Sequence, residues 1–393
     1  MSRAAVTVVP ADLPRGFHAY VANIGIKDDT DDFVVIAADR SVPAAAMFTK
    51  SRFAGCSVEL SRAHVSSGAL RGCVVVSKNA NVATGDEGMA NARELLAGVA
   101  DRLGCRAEEL LLASTGVIGR QYPMDRVRAH VASLPVPTGR DALAAARGIM
   151  TTDTHPKLAA AVVAGSGARV VGIAKGVGMI EPDMATLITL LFTDAAVSAP
   201  ALDAMFRRVI ERTFNSVSVD TDTSTSDTAA VLASGAAGPV DAAALEAALH
   251  VVALALTKMV GRDGEGATTL LEVHVDTARD DAQAKRVAKA VVNSPLVKTA
   301  VHGADPNWGR VAMAIGKCSD DTDIDQRRVT IRFGAQEVYP CPVDGAGLER
   351  LSAYMGGADV RIHVSLRTGA GSWTVWGCDL TDGYVRINAD YTT

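Results

Sequence analysis

Aromatic residues make up only 4% of the 393-residue sequence, and neither sign of charge dominates, since 39 Lys and Arg stand against 44 Asp and Glu for a formal net charge of −5. Nucleic-acid partners are disfavoured on both counts, because they need a dense basic face and aromatic platforms for unstacked bases. No apolar run approaches the ~18 residues of a membrane span. Met1 to Pro14 has no apolar core of the secretion-signal kind, so a cytoplasmic chain with no membrane partner is expected. The six cysteines, Cys56, Cys73, Cys105, Cys318, Cys341 and Cys378, are spread out with no C-x-x-C pair. That spacing predicts reduced thiols, not a disulfide framework.

Familiar cofactor motifs are missing as well. Gly176-Val177-Gly178 opens like a dinucleotide fingerprint, but Glu181 stands where its third glycine belongs. The run Asp321-Thr322-Asp323-Ile324-Asp325 starts like a calcium loop, yet Gln326 occupies the glycine position and Arg332 the bidentate acid position, so a solvated turn is predicted. The eight histidines are scattered without zinc-ligand spacing, and no serine lies in G-x-S-x-G. The expectation is an activity with no metal and no cofactor.

What the chain does have is glycine, 35 residues of it, within a sequence that is 48% apolar and rich in Ala and Val. Short apolar runs alternate with longer amphipathic stretches, which is an α/β signature. Strands are predicted at Phe33 to Ala38, Val74 to Ser77, Leu110 to Ala113, Leu187 to Thr193, Leu270 to Val275 and Val329 to Phe333. Helices are predicted at Glu87 to Leu103, Ala201 to Thr213, Ala242 to Val260 and Ala282 to Val292. Thr84 and Glu87 have capping-box spacing. Two apolar runs around Gly165-Ser166-Gly167 predict a hairpin over Leu158 to Ile173, and strict alternation from Asn215 to Asp220 predicts a strand with one wet face. Length alone suggests about two to three domains, but no linker or fixed-period repeat divides them.

One mid-chain segment has an unusual composition: Lys175-Gly176-Val177-Gly178-Met179-Ile180-Glu181-Pro182-Asp183-Met184-Ala185-Thr186-Leu187, a glycine loop and a proline turn leading to a threonine that opens an apolar strand. Taken alone, Thr186 reads as an ordinary strand residue. The segment resembles the signature of the ornithine acetyltransferase family, also called bifunctional glutamate N-acetyltransferases. Other blocks resembling that family follow in order over nearly the whole chain. They include Asn79-Ala80-Asn81 with Thr84-Gly85, Ser114 through Gly119, Thr151-Thr152-Asp153-Thr154, Asp222 through Thr228, Asp263-Gly264-Glu265-Gly266-Ala267-Thr268, Asn293 through Thr299, Asp305 through Arg310, and the C-terminal Trp376 through Leu380 and Ile387 through Tyr391. Asp183 in place of the commoner Asn, and Lys78 before Asn79, are variants similar to those of members in the clavulanic-acid gene cluster of actinomycetes. They weigh against a primary role in arginine biosynthesis and point to an antibiotic-cluster paralogue.

The resemblance implies self-cleavage between Ala185 and Thr186 into an alpha chain, 1–185, and a beta chain, 186–393, whose later part from about 280 forms a smaller α/β domain. It implies an α/β/β/α sandwich of the kind shared with self-processing aminopeptidases, assembled as a heterotetramer of two alpha and two beta chains. Thr186 would be the nucleophile and its freed amine the base, a sensible pairing because an α-amine titrates near pH 8 while the amide it replaces cannot accept a proton. The acetyl group of N2-acetyl-L-ornithine would pass through an acetyl-Thr186 ester to L-glutamate, with acetyl-CoA as a further donor to glutamate. Thr115 and Gly116 would form the oxyanion hole, and Thr152, Lys175, Thr186, Glu265, Asn388 and Thr393 would hold the substrate. Without the resemblance, Thr115-Gly116 reads as a strand-ending turn, and Lys175 and Glu265 as solvated charges. The competing chemistry is an amidase or aminopeptidase that gives the same acyl group to water.

Overall fold

The computed structural model describes residues 11–181 and 187–390. Ala185, Thr186 and Thr393, together with the Ala185–Thr186 bond, lie outside the described residues. Apart from Asn215 to Asp220, the strand and helix expectations are met in place, and the hairpin is present, with Val162 facing Arg169.

The main sheet holds β1 (Phe17–Ala22), β2 (Phe33–Phe48), β3 (Ala69–Val76), β4 (Leu110–Ser114), β5 (Lys157–Val162), β6 (Arg169–Lys175), β7 (Ile188–Ala196) and β8 (Thr228–Pro239). Its order is β4-β3-β2-β8-β7-β6-β5, with β1 on β2. β2 is the fold line. Its first half pairs with β1 and β3, its register slips between Ala37 and Val42, and its last residues, Ala44 to Phe48, pair with β8. Along the strand Val34, Ile36, Val42, Ala44 and Ala46 face one shared core, while Phe33 and Val35 face a second core and Ala45 and Met47 a third. One sheet is therefore doubled over on itself. Only Phe33 to Ala38 was legible as strand, because Asp39-Arg40-Ser41 and Pro43 interrupt the apolar pattern at the bend.

Six helices complete this unit: α1 (Cys56–His64), α2 (Gly85–Leu103), α3 (Met124–Ala132), α4 (Ala142–Gly148), α5 (Ala199–Arg212) and α6 (Ala242–Arg262). Leu95, Leu96 and Val99 of α2 and Val127 of α3 cover the outside of the β1–β4 half. Phe206 and Ile210 of α5 and Leu249, Val252 and Leu256 of α6 cover the β5–β8 half. Between the halves, Phe17 meets Phe192 edge to face at 5.1 Å. Strand side chains alternate between these layers, as the pleat requires: Ile188, Leu190 and Phe192 point into the shared core, Leu191 and Ala195 toward the helices. The result is an α/β/β/α sandwich. Among the described residues α6 is long and apolar enough to cross a membrane, but its apolar face lies in this core.

The second unit is a five-stranded sheet of β9 (Leu270–Ala278), β10 (Thr330–Phe333), β11 (Gln336–Tyr339), β12 (Asp359–Ser365) and β13 (Gly371–Cys378), ordered β11-β10-β12-β9-β13. One face is covered by α7 (Asp281–Val292), α8 (Pro295–His302), α9 (Trp308–Gly316) and α10 (Gly345–Met355). A last helix, α11 (Asp382–Asp390), returns to the main unit. Because β9 is an inner strand of this sheet, the unit starts at Leu270, upstream of the 280 expected from sequence. On its polar face the separated His274 and His363 come into register on parallel strands, with His363 Nε2 2.9 Å from an Asp276 carboxylate oxygen.

Two local expectations fail and a third holds only in part. No capping box forms at Thr84, whose hydroxyl donates instead to Asn81 Oδ1 at 2.8 Å. Asn215 to Asp220 is not a half-wet strand: it begins in a 3-10 turn, and Ser216 and Ser218 are fully buried. Burial is possible because their hydroxyls are bonded, Ser216 to the Glu211 carbonyl and Trp373 Nε1, Ser218 to Glu181. The turn from Asp321 to Asp325 is solvated only in part, with Thr322 and Asp323 exposed but Asp321 buried. Asp321 is 4% exposed and accepts from Arg286 at 2.7 Å and Arg279 at 2.9 Å.

Candidate active site

At the end of β4 the chain enters a tight turn through Thr115 and Gly116. The Thr115 amide is taken by the Val76 carbonyl at 3.1 Å, so the donor this residue can offer a ligand is its hydroxyl. The Gly116 amide has no partner among the described residues. Gly116 has φ +130°, and a Cβ there would lie 2.2 Å from the Lys78 carbonyl carbon, so only glycine fits. The Asn79-Ala80-Asn81 block is the buttress. Ala80 donates to the Val117 carbonyl at 3.0 Å, and Asn79 donates to the Gln121 carbonyl at 3.1 Å.

Lys175 ends β6 and reaches back to this turn, with its Nζ donating to Thr115 Oγ1 at 3.2 Å. Burial pulls its pKa below that of an ordinary lysine, opposed by Asp153, Asp227 and Glu265. Behind it lies a buried ion cluster. Lys157 is 0% exposed, and its ammonium sits 2.6 Å from Asp153 and 2.5 Å from Asp263. Asp153 also accepts the Gly176 and Thr151 amides at 2.7 and 3.1 Å, and Asp263 accepts that of Thr154 at 3.2 Å. Burial raises the Asp153 pKa, but Lys175 and Lys157 outweigh it and hold the group below the usual carboxylate range. The cluster ties the loop bearing Thr152, the glycine loop after Lys175 and the turn bearing Glu265 to one point.

Glu265 is held from two sides. Its amide donates to the Val177 carbonyl at 3.0 Å, and its carboxylate accepts Asn388 Nδ2 of α11 at 2.9 Å. Gly266 lets α11 approach, since a Cβ there would lie 2.5 Å from the Tyr384 nitrogen. The glycine loop is pinned in turn. The Met179 and Ile180 amides donate to Asp220 at 2.6 and 2.8 Å, and Glu181 accepts from Asn293, the residue that caps the end of α7, at 2.6 Å. On the far side of residues 182–186, the Leu187 carbonyl accepts the Thr228 amide at 2.9 Å.

These pieces enclose a cavity of about 310 Å³ lined by Thr115, Gly116, Thr152, Lys175, Glu265 and Asn388, with Leu187, Ile188 and Ser224 to Asp227 completing the wall. Six of the residues singled out in the sequence thus meet at one place. A larger cleft of about 810 Å³ between β2 and α5 contains none of them. Sequence reasoning gave no role to Asp153, Lys157, Asp263 or Asp227. A lysine opening the apolar run of β5 was the only local signal for the buried cluster.

Hydroxyl and free-amide donors facing a lysine and two carboxylates in a small pocket can stabilise an oxyanion and hold a charged small molecule. The ArgJ family model matches residues 18–393. The chain is 58% identical over 387 residues to glutamate N-acetyltransferase Oat2 of Streptomyces clavuligerus, covering 97% of this chain and 98% of that one. It is 53% identical over 389 residues to the arginine biosynthesis bifunctional protein ArgJ 2 of Nostoc sp., covering 99% and 100%. The crystal structure of the ArgJ protein from Bacillus halodurans aligns at 40% identity and a TM-score of 0.49, over 51% of this chain and 98% of that chain. The chain belongs to the ArgJ family, and it is an enzyme of the acyltransferase class.

Proposed function

We propose that the chain moves the acetyl group of N2-acetyl-L-ornithine to L-glutamate, after cutting itself at Ala185–Thr186, in a two-step exchange through an acetyl ester on Thr186. The observation that carries this reading is the wall of the cavity: Leu187, covalently next to Thr186, lines the same pocket as Thr115, Gly116 and Lys175. A nucleophile at the start of the beta chain would then have two oxyanion donors in reach, the Thr115 hydroxyl and the Gly116 amide. Each such donor is worth about 2.7–4 kcal/mol of barrier. Its base would be the amine released by the cut.

In the first step the Thr186 hydroxyl attacks the acetyl carbonyl, its proton passes to the amine, and the C–N bond to ornithine breaks as that proton is handed to the leaving nitrogen. In the second, glutamate's neutral amine attacks the ester and the threonine hydroxyl is restored. Lys175 supplies a positive point for a substrate carboxylate, and Glu265, Asn388 and Thr152 with Thr393 hold the remaining polar groups. Acetyl-CoA serves as a second acetyl donor to glutamate. The working form is a cytoplasmic heterotetramer of two alpha and two beta chains.

Intact-mass measurement with N-acetylornithine tests the reading. The expected result is two fragments, the second beginning at Thr186 and gaining one acetyl group, which addition of glutamate removes as N-acetylglutamate. Thr186→Ala should stay whole and inactive. A single uncut chain that is nonetheless active would overturn the mechanism, and release of acetate with no N-acetylglutamate would make the enzyme a hydrolase.

A further inference from the structure

Asp227 has no part in the chemistry above, yet it forms the floor of the same pocket. It is 1% exposed, and its Oδ2 has no hydrogen-bond partner among the described residues. Three other buried side-chain atoms among the described residues share that state, Ser57 Oγ, Arg71 Nη1 and Arg140 Nε, but none of those residues lines the pocket. Buried polar atoms are nearly always paired, so an empty acceptor facing a ligand cavity marks a place for a donor. An ammonium is the donor that would also bring a buried carboxyl to its charged, accepting form.

The surroundings favour the same guest. Burial, with no cation on the group, pushes the Asp227 carboxyl well above the usual carboxylate range; the Ser224 side chain, Lys175, the Leu187 amide and the Thr49 side chain pull the other way without overcoming it. Lys175 gives its hydrogen bond to Thr115 instead. Next to the pocket the carboxyl groups of Asp153 and Asp263 share the Lys157 ammonium, with His155 3.4 Å from Asp263, so that Lys175 is the ammonium left near Asp227 and Glu265. Positive charge is in deficit here. We infer that Asp227 Oδ2 is the receptor for a primary ammonium group in this pocket, supplied either by the substrate or by the amine that cleavage frees one residue before Leu187.

The inference rests on the acyl-transfer reading of the pocket, and two arms separate the sources. In the uncut Thr186→Ala chain, where no new amine exists, ornithine binding is measured by calorimetry with and without Asp227→Asn. A substrate ammonium on Asp227 predicts binding weaker by about tenfold or more. In the cleaved enzyme, kcat for acetyl transfer is followed against pH. A carboxylate beside the amine favours its charged form, so Asp227→Asn should move the acid limb down by about one pH unit with KM unchanged if the amine is the guest.

Asp227→Glu, which keeps the charge but displaces it, should restore only part of whichever property is lost. If Asp227→Asn is not cut, Asp227→Glu carries the second arm, its displaced carboxylate shifting the same limb. Unchanged ornithine binding together with an unchanged limb would overturn the inference. Failure of the wild type to form an acetyl-threonine would instead sink the acyl-transfer reading and leave the ornithine arm standing.

Discussion

The Lys175 ammonium donates to the Thr115 hydroxyl oxygen at 3.2 Å, joining residues from two different layers of the sandwich. Because a hydroxyl that accepts from lysine keeps its own hydrogen, the contact leaves Thr115 free to donate into the pocket.

Thr115→Val keeps the shape and removes that donor. Turnover in acetyl transfer should fall by about 10²–10³-fold with little change in KM, the pattern of an interaction made in the transition state. Steady-state kinetics decides it, and a loss confined to KM would place Thr115 in ground-state binding instead.

Gly178 lies against the carboxylate of Glu265, where an added Cβ would come within 2.5 Å of Cδ. The far end of a side chain can move, so Gly178→Ala should fold normally and push Glu265 off its Asn388 contact. KM for N-acetylornithine should rise several-fold while the melting temperature stays near wild type. An unchanged KM would show that Glu265 is not a substrate contact.

Lys157→Met replaces a fully buried cation and strands Asp153 and Asp263 without it. Breaking a buried ion cluster from one side costs about 3–5 kcal/mol. Urea denaturation of the uncut Thr186→Ala background gives the number free of effects of cleavage, and a cost below about 1 kcal/mol would mean that the two carboxylates take up protons freely.

Asp321 titrates below its ordinary 3.8, chiefly through the Arg286 hydrogen bond, against the pull of burial and with help from Arg279 and Gln283. A carboxylate with a depressed folded pKa adds stability above its unfolded value, and that stability is lost as pH falls through the folded one. Asp321→Asn should therefore lower the melting temperature at pH 7 more than at pH 3. Equal losses at both pH values would refute a charge-based contribution.

Much of this architecture could be read from residue patterns alone. The long apolar runs of β3, β4 and β7 are buried on both faces, so they appear as unbroken hydrophobic segments, and the periodic helices α2 and α6 match their limits closely. Illegible features depended on distant partners. Ser216 and Ser218 looked wet because their acceptors and donors come from Glu211, Trp373 and Glu181. Asp321 looked like a solvent-facing turn because Arg279 and Arg286 approach from α7 and the loop before it. Thr115, Gly116, Thr152, Lys175, Glu265 and Asn388 were found through family-like blocks, not through their spacing. The Asp153, Lys157 and Asp263 cluster joins charges 106 residues apart, which no local window can see.

The order of the main sheet has a consequence for the two fragments that cleavage would produce. β7 and β8 belong to the second fragment, but they sit in the middle of the sheet, hydrogen-bonded to β2 on one side and β6 on the other, both from the first. Neither fragment owns the complete main sheet. Made separately, one would have a gap two strands wide and the other a ribbon with two naked edges, each a template for aggregation. The uncut chain would thus act as its own assembly scaffold, and the broken bond would leave behind a woven pair that need not come apart to work.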